Sequence, residues 1–131
     1  MIKFRAWDRT RNEMNYSVMV GNCDTDDENY TCPTIWIEER KKWLHFDDYD
    51  SIMQSTGLKD KNVKEIFEKD ILDYNGRKVI VKWHGSYACF IYEFVDELKN
   101  RTTEWQPLYL SYYKFEIIGN VYENPELMEV E

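Results

Sequence analysis

One dense cluster of titratable side chains stands in the sequence, in the run His45-Phe46-Asp47-Asp48-Tyr49-Asp50. A histidine with three carboxylates is a ligand set that can hold a hard divalent metal ion and activate water. On an extended strand the set would divide between two faces, because successive side chains alternate, so a metal site requires a loop here. An acidic loop that caps a helix is the favoured interpretation. The candidate ligands of a metal-assisted hydrolase are His45, Asp47, Asp48 and Asp50.

Patterns for nucleophilic catalysis and for phosphate binding are absent from the sequence. No G-x-S-x-G motif occurs, and His84-Gly85-Ser86 fits a tight turn better than a catalytic pair. The 5 glycines stand apart from one another, so no glycine-rich loop is available to hold a phosphate group. The sequence therefore predicts no catalytic residue and no cofactor, and it favours a non-enzymatic function.

A second segment, Thr56-Gly57-Leu58-Lys59-Asp60, is the most characteristic motif of the chain. Its functional interpretation is a recognition loop at the mouth of a barrel. Its structural interpretation, which we favour, is a turn that fixes strand register, since a glycine and a left-handed Asn62 would explain the backbone. The candidate recognition loop consists of Thr56, Gly57, Leu58, Lys59 and Asp60.

The cysteines indicate a reducing compartment. There are 3 of them, Cys23, Cys32 and Cys89, and no two have the Cys-x-x-Cys spacing of a zinc knuckle. An odd number without paired spacing argues against a disulfide framework, which is typical of secreted proteins. We expect Cys89 to be a small core residue of a strand, and the chain to work in the cytoplasm.

The charge balance restricts the class of partner. The 131 residues include 17 Lys+Arg and 25 Asp+Glu, a formal net charge of −8. This disfavours nucleic-acid binding, which depends on Lys and Arg neutralising phosphates. No apolar run approaches the ~20 residues of a membrane helix, and the N-terminus lacks the apolar segment of a secretory signal. We therefore expect a protein partner or self-association into a homo-oligomer, with no membrane. An acidic decoy or regulator of a host nucleic-acid-binding protein is an alternative.

Aromatic residues are unusually frequent, with 5 Trp, 10 Tyr and 6 Phe. Such side chains favour strands, because their bulk packs well on a pleated surface. We expect them to fill the interior of a small barrel. Stacking on single-stranded bases is the alternative use of these rings, and the negative charge argues against it.

Alternating apolar and polar residues predict the elements of the N-terminal part. Residues 2–7 and 14–20 both alternate and predict a hairpin. Residues 35–37 and 43–46 predict two further short strands. Residues 50–57 are predicted to form a short helix, because polar residues precede its apolar pair and a glycine ends it.

The C-terminal part contains a strong hairpin signal. Asn75-Gly76 lies between two strand-like runs, and both central residues of such a turn need a positive φ. Further strands are predicted at 87–95, 115–118 and 121–123, and Pro107 marks an edge strand. Residues 124–127 are predicted to begin a terminal helical turn.

Five strands joined by short links follow from about Phe67 onward, a pattern typical of a closed or nearly closed barrel. We predict a mainly β (α+β) fold in two parts. Residues 1–55 form an N-terminal β-rich subdomain, and residues 56–131 form a C-terminal five-stranded β-barrel.

The chain resembles the YopX protein family. The resemblance rests on three blocks that occur in order along the chain: Ile2-Lys3-Phe4-Arg5-Ala6-Trp7-Asp8, then residues 53–71 (MQSTGLKDKNVKEIFEKDI), then residues 118–127 (IGNVYENPEL). The resemblance implies a C-terminal barrel or roll of the Src-homology-three-like type and an origin in a phage or prophage. It implies no agreed activity and no catalytic residues.

The middle block departs from the family pattern at three positions. Val63 and Lys69 stand where the family commonly has glycine, and Phe67 stands where it has tyrosine. A valine does not readily adopt a positive φ, so we expect a turn of another type, or Asn62 alone in the left-handed region. Together these observations favour a phage or prophage accessory protein in the host bacterial cytoplasm, acting as a binding or self-associating β-barrel module.

Overall fold

The computed structural model describes residues 3–9, 11–22, 33–37, 42–45, 52–98 and 104–129. Over these residues the chain consists mainly of antiparallel strands with a few 3₁₀ turns, and it contains no helix that is both long and apolar enough to cross a membrane. The chain divides into two compact units, Met1–Gln54 and Ser55–Glu131. The prediction of a mainly β fold is confirmed.

The N-terminal unit is an antiparallel sheet with the strand order β4-β3-β2-β1-β5. Its buried core includes Ala6 and Val18, against which Phe4 and Ile52 pack. The hairpin predicted at its start is confirmed, as are the two short strands that follow. The strands are β1 (Phe4–Asp8), β2 (Glu13–Asn22), β3 (Pro33–Ile37), β4 (Lys42–His45) and the beginning of β5 (Ile52–Lys59).

The short helix predicted at residues 50–57 is wrong over the part that the structure describes, because Ile52–Lys59 is strand β5. Gln54, Met53 and Ile52 pair with Phe4, Arg5 and Ala6 of β1. This ladder supplies the backbone hydrogen bonds that a helix would have made, and tertiary pairing outweighs a weak local preference. Gly57, predicted as a helix cap, has φ 76° beside an irregularity in the pairing of β5 with β6.

The C-terminal unit is built around a five-stranded antiparallel sheet with the order β10-β9-β8-β7-β11, curved into a half-barrel. The short strand β6 pairs with the second part of β5. The strands are β6 (Glu65–Phe67), β7 (Asp70–Tyr74), β8 (Arg77–His84), β9 (Cys89–Phe94), β10 (Trp105–Pro107) and β11 (Glu116–Asn120).

Two turns of this unit test the sequence predictions. The hairpin at Asn75-Gly76 is confirmed, with φ 51° and 89°. The strand predicted at residues 121–123 is wrong, because these residues form a turn. Asn120 Oδ1 accepts hydrogen bonds from the backbone N–H groups of Tyr122 (3.0 Å) and Glu123 (2.8 Å), which turns the chain away from the sheet. The terminal helical turn is confirmed at Pro125–Met128.

Phe115 is fully buried in the core of the C-terminal unit and makes edge-on contacts with Tyr74 (5.2 Å between ring centroids) and Tyr92 (4.9 Å). The expectation that aromatic residues fill the interior holds for Phe115 and Tyr92, but it is wrong for several others. The aromatic side chains of this unit that are half exposed or more are those of Trp83, Tyr87, Tyr109 and Tyr113. The core cluster comprises Ile66, Leu72, Val79, Val81, Tyr92, Leu108 and Phe115.

Candidate functional site

The candidate metal ligands lie at or beyond the edge of what the structure describes. His45 is the last residue of β4, while Asp47, Asp48 and Asp50 lie outside the described residues. Among the residues that the structure describes, no three His, Cys, Asp or Glu side chains come together in a group able to hold a metal ion. The metal-site hypothesis therefore stays a prediction.

The first part of the candidate recognition loop belongs to β5. The Thr56 hydroxyl donates a hydrogen bond to the Ile66 carbonyl (2.7 Å) and accepts one from the Leu58 N–H (3.1 Å). Leu58 is half-buried against the core cluster, while Gly57 and Lys59 are exposed. Thr56 therefore fastens β5 to β6, and the side chain in this stretch that is charged and open to solvent is Lys59.

Asp60 ends this segment and is buried, with 4% of its surface exposed. Its Oδ1 accepts hydrogen bonds from the N–H groups of Asn62 and Lys64 (both 2.9 Å), and its Oδ2 accepts one from Ile117 N–H (2.9 Å). A carboxylate that accepts three backbone hydrogen bonds is well compensated for its burial. It holds the turn at residues 60–64 against strand β11. The assignment of residues 56–60 as a recognition loop stays a prediction.

Val63 corrects the predicted turn geometry, because it lies in the left-handed region with φ 63°, whereas Asn62 does not. Hydrogen bonds from Asp60 N–H to Lys64 O (2.8 Å) and from Val63 N–H to Asp60 O (2.9 Å) close the turn tightly. Closure and the buried Asp60 carboxylate together impose a conformation that a β-branched residue rarely adopts. Lys69, the other position at which glycine is expected, also has a positive φ of 69°.

The end of the β8–β9 hairpin combines unusual features at one place. His84 ends β8, Cys89 begins β9, and residues 85–88 form the turn between them. Ala88 has φ 50°, in the left-handed region that non-glycine residues seldom occupy. Such backbone strain concentrates at functional sites, where the surrounding structure holds it in place.

Three rings pack together at this hairpin end. Ring centroids are 5.0 Å apart for His84 and Tyr87, 4.7 Å for His84 and Trp105, and 5.0 Å for Tyr87 and Trp105. Trp105 reaches the group because it pairs with Glu93 in the β9–β10 ladder. Tyr87 nevertheless keeps 66% of its surface exposed. The cluster is therefore a packed group of rings with one face open to solvent.

Trp83 extends the aromatic surface beyond this group. It contacts Phe90 edge-on (5.0 Å between centroids) and keeps 50% of its surface exposed. We call the surface formed by Trp83, His84, Tyr87 and Trp105 the aromatic hairpin end. An open depression of about 450 Å³ lies beside it, bordered also by Lys82 and Glu93, whose charged groups form an ion pair at 3.2 Å.

The polar groups here favour binding over catalysis. His84 Nδ1 is buried and has no hydrogen-bond partner in the described part of the chain. Cys89, a half-buried free thiol, is the cross-strand neighbour of His84, so the predicted core position of this cysteine is wrong. Because no hydrogen bond links Nδ1 to the thiol, the two residues do not form the activated pair that nucleophilic catalysis requires.

A second depression, of about 360 Å³, lies beside Arg77. The guanidinium stacks on Phe94 with its carbon 3.7 Å from the ring centroid, and Nη2 donates to Asp96 (2.9 Å) and Glu97 (3.3 Å). The hydrogen bond to Asp96, with a smaller contribution from Glu97, raises the pKa of Arg77 above its ordinary value. This cation is already satisfied by the protein's own groups, so the depression is a weaker candidate site.

Sequence reasoning missed the aromatic hairpin end. Residues 84–86 were interpretable only as a tight turn, and Tyr87 as part of a strand. The available signal was the concentration of rings around Gly85-Ser86, with Trp83 and His84 before it and Tyr87 after it. Nothing local indicates that Trp105 joins them, because that contact depends on the pairing of β9 with β10.

Comparison with known proteins gives a consistent result. The family described as YopX protein matches residues 3–129. Among solved structures, the crystal structure of protein EF1440 from Enterococcus faecalis is similar, with 31% sequence identity and a TM-score of 0.61. The similarity covers 98% of this chain and 99% of that chain. Comparison with curated proteins found no match.

Proposed function

The chain belongs to the YopX protein family, and we propose that it is a non-enzymatic binding module that recognises another protein, or a second copy of itself, through the aromatic hairpin end. The observation that carries this proposal is the exposure of Trp83 (50%) and Tyr87 (66%) beside an open depression. Tryptophan and tyrosine are enriched at protein interfaces, where their large rings bury much apolar area.

Two further features support a binding role for this surface. The left-handed Ala88 directly follows the exposed Tyr87, so a strained backbone presents this ring. The contacts of His84 and Trp105 hold the same ring from behind. A ring that is already fixed loses less conformational entropy when a partner covers it, which favours recognition.

The cellular setting is part of the proposal. The family resemblance supports an accessory role in a phage or prophage, with the host bacterial cytoplasm as the compartment. Cys89, a free thiol, supports a reducing environment, in which unpaired cysteines are the rule.

A photocrosslinking experiment tests the binding role. A benzophenone amino acid replaces Tyr87 in one variant and Tyr109, which is 57% exposed in the same unit, in the other. We expect a discrete adduct from position 87, a markedly lower yield from position 109, and loss of the position-87 adduct when Trp83→Ser is added. Equal yields from the two positions, or an adduct that persists unchanged in Trp83→Ser, would refute the proposal.

Self-association is distinguished from a separate partner by sedimentation of the purified protein over a wide concentration range. A dimer that dissociates on dilution and is weakened by Trp83→Ser identifies a second copy as the partner. A monomer at all concentrations, together with the adduct, identifies a different protein.

A further inference from the structure

We infer that the aromatic hairpin end receives an arginine side chain from a basic segment of a protein partner. This inference rests on the binding role proposed above and names the chemistry of the partner. It follows from three observations: the net charge of the chain, the exposed ring faces, and the way in which the protein holds a guanidinium of its own.

The charge of the protein favours a basic partner. The formal net charge is −8 and the sequence pI is about 4.8. A charge of this size attracts cationic segments and raises their association rate, and it repels the phosphates of nucleic acids. Close to the site, Glu104 is exposed and immediately precedes Trp105. The local carboxylates therefore have the sign that an arginine requires.

The exposed rings favour a cation over a purely apolar side chain. Trp83 and Tyr87 both present ring surface to solvent, and a ring face attracts a cation, most strongly in tryptophan. Arginine suits this surface better than lysine, because the guanidinium is planar, stacks on rings and is less strongly hydrated.

The same two strands already hold one guanidinium in this way. Arg77 on β8 lies over the ring of Phe94 on β9 at 3.7 Å, while Asp96 and Glu97 accept its hydrogen bonds. At the other end of the β8–β9 hairpin, Trp83 and Tyr87 provide the rings and Glu104 provides a carboxylate. The aromatic hairpin end thus resembles the Arg77 arrangement, with the cation still to be supplied by a partner.

The test uses the full chain and synthetic peptides as probes. The first peptide is a short Gly/Ser sequence that carries several arginines, the second has citrulline at the same positions, and the third has lysine. Citrulline keeps the planar shape of arginine but has no charge. Binding is measured by fluorescence anisotropy of the labelled peptides at low and at moderate salt, with a single-stranded oligonucleotide as a further probe.

We expect the arginine peptide to bind at least about tenfold more tightly than the citrulline peptide and more tightly than the lysine peptide. Its affinity should fall as salt is added. Trp83→Leu and Tyr87→Leu should each weaken it by about threefold or more. The matched control Tyr109→Leu should bind as the parent does, and thermal melting confirms that each variant is folded.

Three results would overturn the inference: equal binding of the arginine and citrulline peptides, an equal loss in Tyr109→Leu, or tighter binding of the oligonucleotide at the same residues. If these occur while the Trp83-dependent adduct at position 87 persists, the binding role stands and only the arginine preference fails. If the adduct is also absent, the proposed function fails with it.

Discussion

Replacing Val63 with glycine is expected to stabilise the protein, because Val63 occupies the left-handed region with φ 63°. For a residue with a Cβ atom this conformation costs about 1–2 kcal/mol, and branching at Cβ places valine at the upper end of that range. Val63 keeps 71% of its surface exposed, so little buried apolar area is lost when its side chain is removed. The folded state therefore gains most of the relieved strain.

The opposing term is the greater freedom of glycine in the unfolded chain, which costs about 0.4–1 kcal/mol. The difference predicts that Val63→Gly raises the free energy of unfolding by about 1 kcal/mol. For a chain of this length such a change corresponds to a rise in melting temperature of about 3–5 °C. Urea unfolding followed by circular dichroism measures the free energy, and calorimetry measures the melting temperature.

The neighbouring residue provides a matched control. Asn62 is also exposed in the same turn, but its φ is not positive, so Asn62→Gly relieves no strain. It should lower the free energy of unfolding by about 0.5–1 kcal/mol through the entropy of glycine. If Asn62→Gly stabilises and Val63→Gly does not, Asn62 is the left-handed residue, and the strain assigned to Val63 is refuted.

Two other predictions concern the turn and the metal hypothesis. Asp60→Asn places an amide donor against a backbone donor at one of three hydrogen bonds, so we expect a loss of about 2–3 kcal/mol in urea unfolding. The half-buried Asp73, changed to asparagine, is the control, and a loss at Asp60 no larger than at Asp73 would contradict the role of its carboxylate. For the cluster at His45, Asp47, Asp48 and Asp50, we expect Mg²⁺ or Mn²⁺ to leave the melting temperature unchanged. A rise that disappears in Asp48→Ala would instead establish a metal site.

Where the sequence predictions succeed, the determining physics is local. Asn75-Gly76 requires no distant contact to form its turn, because both residues tolerate the positive φ that the turn demands. The first hairpin likewise follows from alternation within residues 2–7 and 14–20. Pro107, which lacks a backbone N–H, lies on edge strand β10 as expected.

The failures occur where a distant part of the chain decides the conformation. Residues 52–57 form a strand because β1, almost fifty residues earlier, pairs with them. Val63 is left-handed because Asp60 beside it bonds both to its own turn and to Ile117. No window of local sequence contains both partners of these contacts, so propensity alone could not identify them.

The candidate site was not predictable for the same reason. His84 and Tyr87 are close in sequence, but Trp105 joins them only after β9 and β10 have paired. The exposure of Tyr87 also depends on the left-handed Ala88, which no residue preference indicates. The sequence supplies the rings, and the pairing of strands determines which of them are buried and which face solvent.

The segments that carry the family resemblance have a different role from the aromatic hairpin end. They contain Asp60, Asp70 and Asn120, each of which is buried with side-chain oxygen accepting backbone N–H groups. These residues close turns, so they specify the fold. The aromatic hairpin end lies outside all three segments. It follows that family membership transfers the architecture from one member to another, whereas the partner must be established from each member's own exposed rings and charges.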